Sequence, residues 1–372
     1  LYIISPKIYN KNEIITETIN IERSNSMPNR RASNVIFGFD FQINAAIVLA
    51  FENIINLKSI KIESDYEDID ISLINNSHIL AQAKSIIDPI NDFTNIRKNI
   101  KKSLQSLSEG SQKLENEQKV CSSLIYITNS RNPLKQNKYR TTDFSGKTKK
   151  NYNDLSHDAK NKIDQIISDN NIKIDKNLFT VYLLPFETDD RAERYKEIIR
   201  VIDDFLGKNE IYIPYLSNDI LTKWTTLFLY NASTDDTKII LRKNDLLWPI
   251  INLITHPKKL GPFFRDNFDD DEYQVIISNY YQLIEATTER VESFTKVIFD
   301  FANYSSSSGT ANQKILNFAE EFYQNYIKEF LLDKLPIETQ KNLAKVIIYC
   351  ILTKRSIIKS LKEGVSHAYN RT

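Results

Sequence analysis

One stretch restricts the fold more than any other. KSIKIESDYEDIDISLINNSHILAQAKS, residues 58–85, alternates apolar and polar side chains with period two. It follows closely on GFDFQINAAIVLAFENII, residues 38–55, which stays apolar over about five helical turns. The first segment is too long for a strand, so it reads as a largely buried helix. The second breaks at Ser64-Asp65 and at Asn75-Asn76-Ser77, which predicts three short strands joined by tight turns.

Helical spacing returns from Thr94 to Leu114, with Ile96, Ile100, Leu104, Leu107 and Leu114 on one face. Val120–Thr128 and Leu178–Leu184 read as buried strands, with a long polar segment between them (130–176) and a helix expected after Ser156. Helices are predicted near 189–206 and 217–231, separated by a short strand, IYIPY, at 211–215. The order helix, antiparallel meander, helix, strand, helix, strand gives an α+β core of ordinary domain size. Everything after about Asp219 reads as helical. Ile277, Tyr280, Ile284, Val291, Phe294, Ile298 and Phe301 keep heptad spacing, spoiled only by Thr287, and Ile315, Phe318, Phe322 and Tyr326 mark another amphipathic helix beyond the SSSSG loop at 305–309. The expected division is an N-terminal arm (1–34), an α+β domain (35–218) and an all-helical domain (219–372) for oligomerisation or partner binding.

With 372 residues the chain has room for two cores, but its formal net charge of +1 gives no overall argument for a nucleic-acid partner. Such a partner would need a local basic surface. Two are available: Arg97, Lys98, Lys101 and Lys102 on the polar side of one helix, and Lys138, Tyr139, Arg140, Lys147, Lys149, Lys150 and Tyr152 in the polar segment. Each reads equally well as an ordinary solvated surface. Cys121 and Cys350 are far apart and the four histidines are scattered, so neither a zinc site nor a disulfide framework is expected. The opening LYIISPKIYNKNE lacks the apolar centre of a signal peptide, and Val346–Leu352 is too short to span a bilayer. A cytoplasmic location, with no membrane partner, is the expectation. The single methionine, Met27, precedes the first strongly patterned segment, as it would if the residues before it were a poorly ordered extension.

Chemistry concentrates on the second and third strands. In EDIDIS, Asp68 and Asp70 share one face; in ILAQAKS, Leu80, Gln82 and Lys84 share one. Pairing through the Asn-Asn-Ser turn would bring two carboxylates, an amide oxygen and an ammonium to the same side of the sheet. Hydrolysing a phosphodiester calls for a divalent cation on hard oxygen ligands, for which one carboxylate, one neutral oxygen and the Ala83 carbonyl would suffice, with Lys84 acting on the attacking water or the phosphate. Taken alone, DxD or QxK is most simply the solvated face of a sheet. Their adjacency, behind a buried helix containing Gln42, raises them above that reading.

The ordered set GFDFQ, Glu63, EDIDI and QAKS resembles the N-terminal PD-(D/E)XK endonuclease domain of bacterial anti-phage effectors. That group includes the double-stranded-DNA endonuclease of cyclic-oligonucleotide (CBASS) immunity and the nuclease subunits of Lamassu-type systems. The likeness is strongest over residues 36–105 and extends to about 215. It implies a restriction-endonuclease-like fold and a Mg2+- or Mn2+-dependent endodeoxyribonuclease. Asp68 would then be the metal-binding aspartate, Gln82 the residue at the (D/E) position, Lys84 the catalytic lysine and Gln42 the polar group from the first helix. Asp70 and Glu63 would be further ligands or supporting groups. The helical half does not resemble a cyclic-nucleotide sensor, so the layout is most like the Lamassu nuclease subunit. This implies double-stranded DNA as substrate, with an SMC-like ATPase or a further copy of the chain as partner. The competing expectations are a catalytically silent nuclease-like scaffold and a nuclease acting on RNA.

Overall fold

A computed structural model describes residues 32–135, 143–144, 146, 148–256, 266, 268–285, 291–305 and 309–366. Helix α1 (Ala32–Asn53) leads into β1 (Leu57–Ile62), β2 (Ile69–Leu73) and β3 (Ser77–Lys84), an antiparallel meander. Helix α2 (Ile96–Asn116) crosses to β4 (Val120–Thr128), which lies parallel to β3. β5 (Thr148–Asn151), α3 (His157–Asp169) and β6 (Phe179–Leu183) follow, with β6 parallel to β4 and antiparallel to β5. After α4 (Arg191–Lys208) and α5 (Leu216–Ala232), the two-residue β7 (Leu241–Arg242) returns to pair with β1. The protein is therefore α+β, with a mixed seven-stranded sheet in the order β5-β6-β4-β3-β2-β1-β7. The remaining described helices are α6 (Lys243–Ile254), α7 (Asp270–Glu285), α8 (Val291–Ala302), α9 (Ala311–Tyr326), α10 (Ile337–Thr353) and α11 (Arg355–Ser366).

Strand alternation divides the apolar side chains between two cores. Ile79, Ala81 and Ala83 of β3, with Ile125 and Ile127 of β4, face α1, α4, α5 and the later helices. Leu80, Leu124 and Tyr126 face α2 and α3. The sheet is thus buried on both sides through β3, β4 and β6, as its parallel pairs require. Aromatic packing ties α1 to α5: the Phe51 and Trp224 rings stack at 4.0 Å, and the Trp224 indole N–H donates to the Leu246 carbonyl at 3.1 Å. Such a stacked pair contributes about 0.5–1.5 kcal/mol beyond its buried area. α1 is the one described helix long and apolar enough to cross a membrane, yet 67 % of its apolar window is buried inside this chain.

Local signals held where the backbone alone decides. Asn76 takes φ +61 in the β2–β3 turn, while Asn75 Oδ1 accepts the Ser77 N–H. The Ser156 side chain caps α3. Asp269 and Glu272 bond reciprocally across the first turn of α7, so the acidic cluster 269–272 acts as a helix start.

Several expectations need correction. α1 begins at Ala32, inside the expected arm; residues 1–31, Met27 included, lie outside the described residues. IYIPY is not a strand. Ile211 is buried, but Pro214 lacks a donor, Tyr215 takes φ +62, and β7 already borders β1. The polar segment contributes β5, and the region after Asp219 contributes β7, so that region is not wholly helical. The expected boundary at 218/219 falls in the first turn of α5, whose Asn231 bonds to β1. Within the heptad, Tyr280, Phe294 and Phe301 are buried, with Phe294 against Trp248 and Phe301 against Phe318 in this same chain. The side chains of Ile284 and Val291, and Ser306–Ser308 of the loop, lie outside the described residues.

Candidate active site

The β1–β2 connection is shaped by Ser64. Its hydroxyl accepts the N–H groups of Tyr66 (3.1 Å) and Glu67 (3.0 Å) and donates to the Glu67 carbonyl (2.9 Å). The Glu63 N–H donates to the Asp68 carbonyl at 2.9 Å, closing the loop. Glu63 itself sits at φ +53, a left-handed conformation that costs a non-glycine residue about 1–2 kcal/mol. That turn carries its carboxylate to α1, where the Gln42 amide donates to Glu63 Oε1 at 2.6 Å and to the Asp68 carbonyl at 3.3 Å. The GFDFQ motif thereby divides its labour. Phe41 packs edge-on against Phe186, Asp40 receives Arg194 (3.3 Å) and the Tyr195 hydroxyl (3.0 Å) from α4, and Gln42 holds the loop.

Asp68 stands just ahead of β2. Its Oδ2 accepts the Ala83 N–H at 3.1 Å and lies 3.5 Å from the Lys84 ammonium. The Asp68 and Lys84 side chains keep 21 % and 31 % of their surface exposed, so the pair is open to water and to a ligand. Ile69 faces Ala81 across the strands, and continuing that register by one residue sets Asp68 opposite Gln82. Gln82 is 4 % exposed and alternates with Leu80 and Lys84, which assigns it to the same sheet face. Lys84 ends β3 at the carboxyl ends of the parallel strands, where open α/β sheets present their ligands. The following loop is fixed by Asn129, which accepts the Ile86 N–H (2.7 Å) and donates to the Ile86 (2.8 Å) and Phe186 (2.9 Å) carbonyls.

Four of the expected residues meet: Asp68, Ala83, Lys84 and Gln42, with Glu63 beside them. Ala83 reaches Asp68 through its N–H, whereas its carbonyl was the expected donor. Asp70 does not join them. It sits opposite Leu80, and its carboxylate is 2.8 Å from His78 Nδ1, so a buried histidine takes the place that a cation was expected to hold.

Glu67 is a residue that the strand pattern did not single out. It is 5 % exposed; Oε2 accepts the Ser106 hydroxyl of α2 at 2.6 Å, and Oε1 is buried without a hydrogen-bond partner among the described residues. Burial pushes its carboxyl up to about 8; the Asp68 charge acts in the same direction, while the Ser106 bond, Lys84 and the Asp68 backbone N–H oppose it. Gly110 makes this approach of α2 possible. A Cβ there would stand 2.4 Å from the Tyr66 carbonyl oxygen.

Of the two basic surfaces, α2 keeps Lys98, Lys101 and Lys102 without an ion pair among the described residues, while Arg97 pairs with Asp169 at 3.2 Å. α2 starts at the same end of the sheet as Lys84. The described residues of the second surface are engaged internally: Lys149 pairs with Glu52 (3.3 Å), Lys150 with Asp143 (3.6 Å), and Tyr152 is buried with its hydroxyl on Asp164. Lys138, Tyr139, Arg140 and Lys147 lie outside the described residues.

The donor set suits a hard cation. Asp68 Oδ1 and the Gln82 amide carry no hydrogen bond among the described residues, and both offer oxygen. No three histidine, cysteine or acidic side chains gather into a metal cluster among the described residues. Comparison of the chain with protein-family models, with curated proteins and with solved structures finds no match.

Proposed function

We propose that this chain is a divalent-metal-dependent DNA endonuclease with a restriction-endonuclease-like active site that cuts phosphodiester bonds with little sequence specificity. The supporting observation is the convergence of the Asp68 carboxylate, the Ala83 N–H and the Lys84 ammonium at one exposed end of the sheet, with Gln82 opposite and Gln42 behind. Asp68 Oδ1 and the Gln82 amide oxygen would hold Mg2+ or Mn2+. When bound, such an ion supplies stabilisation of the phosphate charge and acidification of water. Lys84 stands where an ammonium can orient the attacking water and bond to a non-bridging phosphate oxygen. The Gln42–Glu63 bond keeps the Asp68 loop in place during the reaction. Lys98, Lys101 and Lys102 give phosphate contacts, which bring affinity and no sequence information.

The biological setting in this proposal rests on the resemblance in residues 36–105. It is a cytoplasmic effector of antiviral defence, gated by its helical half together with an SMC-like ATPase or a further copy of the chain. The test is digestion of supercoiled plasmid by purified protein with Mg2+, Mn2+ or EDTA, and of RNA in parallel. Metal-dependent nicking that Asp68→Ala and Lys84→Ala abolish, with unchanged circular dichroism, is the expected result. DNA left intact by both the free and the activated protein would instead favour the catalytically silent scaffold.

A further inference from the structure

Resting on the metal-site reading above, charge balance around Lys84 poses a problem that Glu67 answers. Asp68 and Lys84 together sum to zero, and the position opposite Asp68 holds the neutral Gln82. A divalent cation placed between them would lack the negative charge that hard-cation sites normally provide. Glu63 supplies one carboxylate, but its Oε1 is committed to Gln42. Glu67 lies next in the chain to Asp68, feels the charges of both Asp68 and Lys84, and, apart from the influence of the Asp68 backbone N–H on its carboxylate, keeps Oε1 without a hydrogen-bond partner among the described residues although it is 5 % exposed. An unsatisfied buried carboxylate oxygen is costly, so it stands out against a protein interior where such atoms are normally bonded. The arrangement around it is a built one. Ser106 fixes Oε2, Ser64 fixes the backbone, and Gly110 lets α2 close over the loop, all of which hold the Glu67 carboxylate in one place, near enough to Asp68 to feel its charge.

We infer that Glu67 is the second charged donor of the site, offering Oε1 to a hard divalent cation held by Asp68, either directly or through one water. In this site the residue preceding the metal aspartate takes over the charge that Gln82 does not carry. Ser106 is then a positioning residue that sets the carboxylate's rotamer.

Mn2+ alone is the probe, titrated by calorimetry into the full chain at neutral pH, with thermal melting followed in parallel. For Glu67→Gln, weakening of Mn2+ affinity by about ten- to a hundredfold is expected, with most of the Mn2+-induced rise in Tm lost while the metal-free Tm is kept or raised. Glu67→Asp should recover part of the affinity, and Ser106→Ala should weaken it less than Glu67→Gln does. Wild-type affinity in Glu67→Gln, alongside lost binding in Asp68→Asn, overturns the role of Glu67 and leaves the nuclease site standing. Absence of Mn2+ binding by the wild type overturns both. Equal losses of metal-free Tm and of Mn2+ response in Glu67→Gln would assign Glu67 to the fold alone, which also overturns the inference.

Discussion

Asn231 offers the sharpest test of how the helical half is joined to the sheet. β7 pairs with β1 only at Ser59 and Ile60, so the outward N–H of Ile62 has no strand partner on that side. The Asn231 side chain, from the last turn of α5, replaces the missing strand. Its Oδ1 accepts the Ile62 N–H at 2.9 Å, and its Nδ2 donates to the Ile239 carbonyl at 2.8 Å. Lys61, also buried, donates to the Asn231 carbonyl at 2.8 Å, adding a cation at the C-terminal end of α5. Asn231 is fully buried. Asn231→Leu fills a similar volume and excludes water, so both backbone groups lose their partner. At about 1–3 kcal/mol for each unsatisfied group, the variant should lose about 2–6 kcal/mol. Asn231→Ala leaves space for a bridging water and should lose less, about 1–2 kcal/mol. Urea unfolding followed by far-ultraviolet circular dichroism measures both. The fluorescence of the two tryptophans, Trp224 and Trp248, reports on the helical side in the same titration. Coincident transitions are expected if sheet and helices unfold as one unit. A Leu variant as stable as the wild type, or an Ala variant less stable than Leu, would refute the reasoning, because apolar volume would then outweigh hydrogen bonding at this position.

Further outcomes follow from other contacts. Gly110→Ala forces a Cβ against the Tyr66 carbonyl, and α2 must shift; a loss of about 1–3 kcal/mol in urea melts is expected, whereas Gly207→Ala, with open space around it, should be neutral or stabilising. In EDTA, the Glu67 carboxyl stays protonated up to about 8 in the folded chain but ionises near 4.5 when unfolded, so the folded state binds the extra proton and stability falls as pH rises through that window. The upper limit is about 5 kcal/mol, and Glu67→Gln should flatten the pH profile; a profile unchanged by the substitution would exclude Glu67 as its source. Asp40→Ala removes the anion facing Arg194 and the acceptor of Tyr195, which should cost about 2–4 kcal/mol and loosen α4 in hydrogen exchange; full protection of α4 would contradict the clamp.

What the sequence determined by itself is much of what depends on backbone period and local turn chemistry. The apolar run predicted α1, alternation predicted β1, β2 and β3, Asn75-Asn76 marked a turn, and Ser156 marked the start of α3. The same alternation put Lys84 and Gln82 on the face of Asp68. Tertiary structure decided the partners, because these come from residues far along the chain. Glu67 is completed by Ser106, 39 residues away, Lys149 is neutralised by Glu52 at a separation of 97, and Ile62 is paired by Asn231 at a separation of 169. Asp70 shows the limit most clearly. Alternation gives it the same face as Asp68, but only the packed sheet shows its carboxylate turned to His78. A two-residue period fixes which side of a sheet a group occupies; whether it meets a cation, a histidine or water depends on what long-range packing brings to that side.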